Sequence, residues 1–231
     1  MSAARPADVS VKICGLTHPD DVQAAVAAGA DRLGFVMGYP LPVPWELEIP
    51  RALELMQLAG GRERVAVVGG QADAINRIVA ETGVDLAQLH GDEPPQVVEA
   101  VARTGVRVVK ALRADVGRPA EAPEHWISLA RTFIDAGASE ILLDSRSTDR
   151  PAGTGEVFNW DVARAVVEAL DVPVILAGGL HPGNVGEALA IVRPAGIDVI
   201  TGVAGLADRK DPELIRAFVA AVRGPAPERA S

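Results

Sequence analysis

PVILAGGLHPGNVGEALAIVRPAGIDVITGVAG, residues 173–205, carries the fold in miniature. Two apolar runs of strand length, PVILA (173–177) and IDVIT (197–201), flank PGNVGEALAIV, whose apolar residues recur at helical spacing. Each run leads into glycine, at Gly178–Gly179 and at Gly202. A strand, a helix and a second strand in that order make a βαβ unit, and such units build parallel sheets. Outward from this stretch the unit repeats. Six further runs precede it: SVKIC (10–14), DRLGFV (31–36), RVAVV (64–68), DLAQL (85–89), RVVKA (107–111) and EILLD (140–144). Segments such as PDDVQAAVAAGA, QADAINRIVAETG, PPQVVEAVARTG, DVARAVVEAL and PELIRAFVAAV supply the helices. Many begin with Pro or Asp or end on Gly, the residues that start and stop helices. A doubly wound open sheet usually has about five to seven strands and a glycine fingerprint after the first. Here CGLTHPDD follows the first strand instead. The expected fold is therefore a single-domain (βα)8 TIM barrel over residues 10–223, with flexible tails at 1–9 and 224–231.

Composition agrees with a barrel and narrows its partners. Of 231 residues 48% are hydrophobic but only 3% aromatic, so the core must be Val, Leu, Ile and Ala, as in a parallel sheet covered by helices. The net charge of −9 argues against nucleic acid, whose phosphates need a basic face. It leaves room for a small phosphorylated ligand held by backbone N–H groups at helix starts. Cys14 is the single cysteine, which excludes an internal disulfide and a multi-cysteine metal site. No apolar run reaches the ~18 residues of a membrane span. The opening MSAARPADVSVKIC has no apolar core of a secretory leader, so a cytoplasmic protein is expected.

Barrel enzymes gather their chemistry at the C-terminal ends of strands. Cys14, Gln88, His90, Lys110, Asp144, Gly178–Gly179 and Thr201–Gly202 all fall there. Cys14 and Asp144 end strands one and six, on different sides of a barrel, so both side chains can face a ligand between them. A thiol of lowered pKa can take a carbon-bound proton, and a carboxyl of raised pKa can donate one. Against this stand plainer roles: a small buried hydrophobe for Cys14 and a helix cap for Asp144. LAGGLHPGNV and ITGVAG read as two phosphate loops in the last two units, the usual barrel phosphate site. His90 has no neighbouring His or Cys with which to bind metal. His18, His125 and His181 read as surface residues, and Glu46, Glu48 and Glu54 as a solvated helix face. Trp45, in the proline-rich segment 39–49, reads as a lid or a ligand-stacking ring. That segment and 145–158 are the long loops expected on the active face.

Eight motifs in order carry a resemblance: VKICGLT, ADRLGFV, QLHGDEP, VVKAL, LLDS, AGTGEVFNW, ILAGGLHPGNV and VRPAGIDVITGV. Together they resemble phosphoribosylanthranilate isomerase over nearly the whole chain. The resemblance implies a (βα)8 enzyme of tryptophan biosynthesis that performs an Amadori rearrangement without metal or cofactor. It implies Cys14 as general base and Asp144 as general acid. Gln88, His90, Trp45 and Asp198 are the candidate substrate contacts. Gly155, Gly178, Gly179, Thr201 and Gly202 are the implied phosphate contacts. The implied partner is a small phosphorylated sugar, with no nucleic acid or membrane, and the chain is expected to work as a monomer or homodimer.

The sequence departs from the family on one side. LPVPWELE stands where the family has a basic K-S-x-R stretch, whose arginine binds the anthranilate carboxylate. After strand three AVVGG replaces G-V-F-V-N, and Ala204 stands where the family has Glu. A weaker hold on that carboxylate is expected unless Arg51, Arg113 or Arg146 reaches in. Two other readings stay open here: a paralogue isomerising a different phosphoribosylamine, and a silent barrel that only binds a phosphorylated ligand.

Overall fold

The computed structural model describes residues 9–115, 121–146, 158–206 and 209–224. Its strands are β1 (Ser10–Ile13), β2 (Arg32–Val36), β3 (Glu63–Val68), β4 (Leu86–Leu89), β5 (Arg107–Asp115), β6 (Glu140–Arg146), β7 (Val174–Leu176) and β8 (Gly196–Val199). Its helices are α1 (Pro19–Ala28), α2 (Ile49–Met56), α3 (Ala72–Thr82), α4 (Pro95–Ala102), α5 (Pro123–Asp135), α6 (Trp160–Ala169), α7 (Val185–Val192) and α8 (Pro212–Arg223). The strands form one closed parallel barrel in chain order, and β8 pairs back onto β1 from Ser10↔Gly196 to Ile13↔Val199. This is the (βα)8 barrel that the sequence predicts.

Local chemistry sets the helix ends. Pro begins α1, α4, α5 and α8, where its missing N–H costs nothing and its fixed φ suits the first turn. The Asp211 carboxylate accepts from the Glu213 and Leu214 amides at the start of α8, and Asn159 does the same for α6. Gly29 stops α1 at φ +89, a left-handed conformation that a side chain would strain.

Strand residues alternate between two environments. One face packs on the helices in a large core that includes Val11, Ile13, Leu33, Phe35, Leu89 and Leu143. The other fills the lumen, where Val65, Leu86, Val109, Ala111, Leu142, Ile175 and Ala177 form a second cluster. At the N-terminal end of the barrel Arg32 donates a two-pronged pair to Glu140 (2.6 and 2.9 Å) and a third bond to Glu63 (2.8 Å). Three of the ionic links that tie the start of the chain to its last elements are Lys12 to Asp198, Asp21 to Arg209, and Asp31 to Arg223.

Three expectations shift. β5 runs to Asp115 rather than Ala111, pairing with β6 as far as Asp115↔Arg146. Lys110 therefore sits in mid-strand on the helix-facing side, not at the mouth. It donates to the Leu89 and Gly91 carbonyls and to Glu93 (3.2, 2.7 and 2.7 Å), pinning the turn after β4. The acidic trio does not share a helix face: Glu54 lies on α2 and pairs with Arg51, Glu48 precedes the helix, and Glu46 accepts from the Tyr39 amide. Val9, assigned to the N-terminal tail, is buried, and its carbonyl accepts from Arg223. Residues 1–8 and 225–231 of the expected tails lie outside the described residues.

Candidate active site

At the C-terminal mouth a cavity of about 780 Å³, including its open top, is lined from nearly every strand end. Cys14, Trp45, Gln88, His90, Asp144, Gly178, Gly179, Asp198 and Thr201 all contribute to its wall, so most of the expected site residues converge. Gly202 does not line it. A Cβ there would lie 1.8 Å from the Leu180 carbonyl oxygen, so this glycine lets the turn after β8 press on the turn after β7. Gly155 lies outside the described residues. Tyr39, Val43, Ser145, Leu180 and Ile200 line the cavity without having been singled out.

Cys14 follows the last residue of β1, its amide bonded to the Val199 carbonyl at 2.9 Å. Its side chain is buried with Val36, Trp45 and Val67. Burial pushes the thiol above its ordinary range, opposed first by the Lys12 ammonium and then reinforced by Asp198. Desolvation disfavours the thiolate that proton abstraction needs, so the neighbouring cations have to offset it. Lys12 is two residues back on the same inward face and donates to Asp198 at 2.8 Å. Burial alone would lower the lysine, but Asp198 and then Cys14 together outweigh it and raise the ammonium above its ordinary range. A second cation, Lys210, is buried behind Trp45, its Nζ 5.9 Å from the ring centroid and 2.8 Å from the Ile200 carbonyl. Burial brings Lys210 down to about 8. Neither lysine is conspicuous in the sequence, because each owes its place to a partner on another element.

Asp144 faces the mouth from β6. His90 Nε2 stands 3.0 Å from its Oδ2, and the Gln88 amide nitrogen stands 2.9 Å from Nδ1. As placed, the Gln88 N–H donates to Nδ1, which puts the ring proton on Nε2, pointing at Asp144. Gln88 and His90 thus reach the site as one chain ending on the carboxylate. Asp198 Oδ1 is buried and has no hydrogen-bond partner among the described residues.

Trp45 is 8% exposed and packs as a wall of the cavity beside Cys14. The proline-rich loop folds back on β2, where the Leu47 amide bonds the Val36 carbonyl at 2.9 Å. On the opposite wall Gly178 and Gly179 take left-handed φ of +81° and +62°. Asn184 fastens this turn, donating to the Gly179 carbonyl and accepting from the His181 amide.

A parallel barrel whose mouth sets a buried thiol and a histidine-bonded carboxylate around one cavity, with a glycine wall beside them, falls in the class of (βα)8 isomerases. Residues 11–221 match the family profile described as N-(5'phosphoribosyl)anthranilate (PRA) isomerase. The chain belongs to the phosphoribosylanthranilate isomerase family. It is 40% identical to the N-(5'-phosphoribosyl)anthranilate isomerase of Afipia carboxidovorans, over 92% of this chain and 88% of that one. It is 39% identical to that of Haloferax volcanii, over 92% of each. The phosphoribosyl anthranilate isomerase of Thermotoga maritima superposes with a TM-score of 0.80 at 28% identity, covering 94% of this chain and all (100%) of that one. A structure of a phosphoribosyl anthranilate isomerase in complex with reduced 1-(o-carboxyphenylamino)-1-deoxyribulose 5-phosphate superposes with a TM-score of 0.77 at 28% identity and the same coverage.

Proposed function

We propose that this chain isomerises N-(5′-phosphoribosyl)anthranilate to 1-(o-carboxyphenylamino)-1-deoxyribulose 5-phosphate by acid–base catalysis. The observation that carries the reading is that Cys14 and Asp144 share one cavity wall, Asp144 with His90 bonded to it.

Asp144, entering as the acid, gives its proton to the furanose ring oxygen. The C1′–O bond breaks as the nitrogen lone pair moves in, leaving an open-chain iminium and a new hydroxyl. Cys14, entering as the thiolate, takes the C2′ proton, and the electrons of that C–H bond neutralise the iminium to an enolamine. Ketonisation removes the C2′ hydroxyl proton and places one on C1′. The C2′ hydroxyl proton goes back to Asp144 and the Cys14 thiol proton goes to C1′, so each enzyme group ends as it began. The iminium is its own electron sink. Lys12 lies beside the sulfur and stabilises the thiolate against the cost of burial, with Lys210 adding positive charge from behind Trp45. His90 steadies the Asp144 carboxylate after it has given up its proton.

Gly178, Gly179 and Thr201 offer backbone N–H groups to the phosphate. The unpartnered Asp198 Oδ1 accepts from a sugar hydroxyl or the amine, which removes the cost of an orphaned buried acceptor. The test is turnover by the purified protein of N-(5′-phosphoribosyl)anthranilate generated in place by a phosphoribosyltransferase, followed as loss of its fluorescence. Efficient turnover is expected. Preference for a phosphoribosylamine without a carboxylate would replace the proposed substrate, and no turnover of either would overturn the reading.

A further inference from the structure

The cavity wall presents two carboxylates, Asp144 and Asp198, and no lysine or arginine among its described residues. The proposed substrate brings two anionic ends. Its phosphate has the glycine turns after β7 and β8. Its aryl carboxylate needs its own donor, because a carboxylate taken from water without a partner is expensive.

One place on the wall answers that need. Tyr39 lines the cavity on the β2 side, and its hydroxyl oxygen accepts from Arg113 Nη1 at 3.2 Å. The phenol's own proton has only the His90 carbonyl, at 3.5 Å, which is a long bond and easily exchanged. Arg113 comes from the extension of β5 past Ala111, in register with Asp144, so both side chains leave their strands on the inward face. The guanidinium is 11% exposed, while its partner Asp92, at 2.6 Å, is 81% exposed. Water screens the aspartate far more than the arginine, so the positive charge is felt chiefly toward the cavity.

We propose that Tyr39 and Arg113 form the subsite for the substrate's aryl carboxylate. The Tyr39 hydroxyl turns its proton from the His90 carbonyl to the carboxylate, and Arg113 supplies the charge from behind the phenol. No strand or loop has to move. Burial raises the phenol above its ordinary pKa, with Arg113 opposing, so at neutral pH it remains a donor. This subsite stands in place of a cation on the β2 loop, where LPVPWELE has none. It rests on the reading that the ligand carries that carboxylate.

Calorimetric binding of two ligands tests it without needing turnover. One is reduced 1-(o-carboxyphenylamino)-1-deoxyribulose 5-phosphate, and the other is the same molecule lacking the ring carboxylate. Tyr39→Phe and Arg113→Gln are each expected to weaken the first ligand about tenfold or more and to leave the second within about twofold. Arg113→Lys, which keeps a cation, should fall between, and its circular dichroism guards against an unfolded glutamine variant. Equal losses on both ligands would mean that the pair only shapes the wall, and unchanged binding of the first would mean that the carboxylate lies elsewhere. Either result overturns the subsite and leaves the proposed function standing. A wild-type protein that binds neither ligand would overturn the function and the subsite together.

Discussion

The Cβ that Gly34 lacks would lie 2.7 Å from Cys14 Sγ. The same point is 3.0 Å from both Lys12 Cε and Lys12 Nζ, so a missing side chain on β2 makes room for thiol and ammonium together. Gly178 does the same across the barrel. A Cβ there would lie 2.8 Å from Asp144 Oδ1 and 2.6 Å from the Ser145 amide.

Gly34→Ala should therefore displace the thiol and its lysine. Overpacking of this kind costs about 1–3 kcal/mol in stability. The informative comparison is Gly34→Ala with Cys14→Ala. Removing the sulfur should recover much of the lost stability in urea denaturation while activity stays absent. If the double variant is no more stable than Gly34→Ala alone, the clash lies elsewhere.

Gly178→Ala adds backbone strain to collision, because its φ is +81°. A side chain in that region costs on the order of 1–3 kcal/mol. Asp144 stands in the way, so kcat should fall by a larger factor than the stability loss implies. Activity near wild type would show that Asp144 tolerates displacement and that its placement is not critical.

Removing the reacting groups themselves should cost more. Cys14→Ser and Asp144→Asn are each expected to lower kcat about 10²–10⁴-fold with the fold intact. Serine retains the size but is far too weak a base. A Cys14→Ser enzyme working at wild-type rate would assign the proton abstraction to another group.

Lys12 lowers the thiol's pKa, so losing it should move the rising limb of the kcat/KM profile to higher pH. Lys12→Met alone strands the buried Asp198, at a cost of about 3–5 kcal/mol. The pair Lys12→Met with Asp198→Asn removes both charges and is the variant to titrate. Because Asp198 acts against Lys12 on the thiol, the reference is Asp198→Asn alone: a rising limb in the pair no higher than in Asp198→Asn would mean that the ammonium has no part in ionising Cys14.

Lys210 gives a stability test with a definite sign. Its folded pKa of about 8 is below the ordinary 10.5. Between those values the unfolded chain binds more protons than the folded one, so stability must rise with pH across that window. The cost of the buried charge is complete below about 8 and gone above about 10.5, with a full size on the order of 3 kcal/mol. Lys210→Met should abolish this part of the rise in urea denaturation followed from pH about 7.5 upward. Identical pH slopes in wild type and variant would contradict it.

The strands were legible because a parallel barrel writes each one as a short apolar run. Cys14 and Asp144 were legible because their runs stop at them, and strand ends are where barrels place chemistry. The end of β5 was not, since LRAD after VVKA looks like loop: Arg113, in register with Asp144, interrupts the apolar run although the strand continues. That misplaced Lys110 and hid the position of Arg113. Lys12 and Asp198 are 186 residues apart, and Tyr39 and Arg113 are 74 apart. Such pairings depend on how the barrel closes, which no local pattern encodes. The burial that raises the Cys14 thiol was not legible for the same reason: Trp45 and Val67, which bury it, come from other units.

The ionic links between the first elements and the last also bear on how the chain is made. A ribosome delivers Lys12, Asp21 and Asp31 long before Asp198, Arg209 and Arg223 emerge. A sheet built without β8 would be a seven-strand crescent with open edges at β1 and β7, and Lys12 would lack the Asp198 carboxylate that pairs with it. Open edges invite pairing with other chains. The barrel can therefore seal only at the end of synthesis, and a message broken before the codon for Asp198 would yield not a weaker enzyme but an unclosed, sticky sheet.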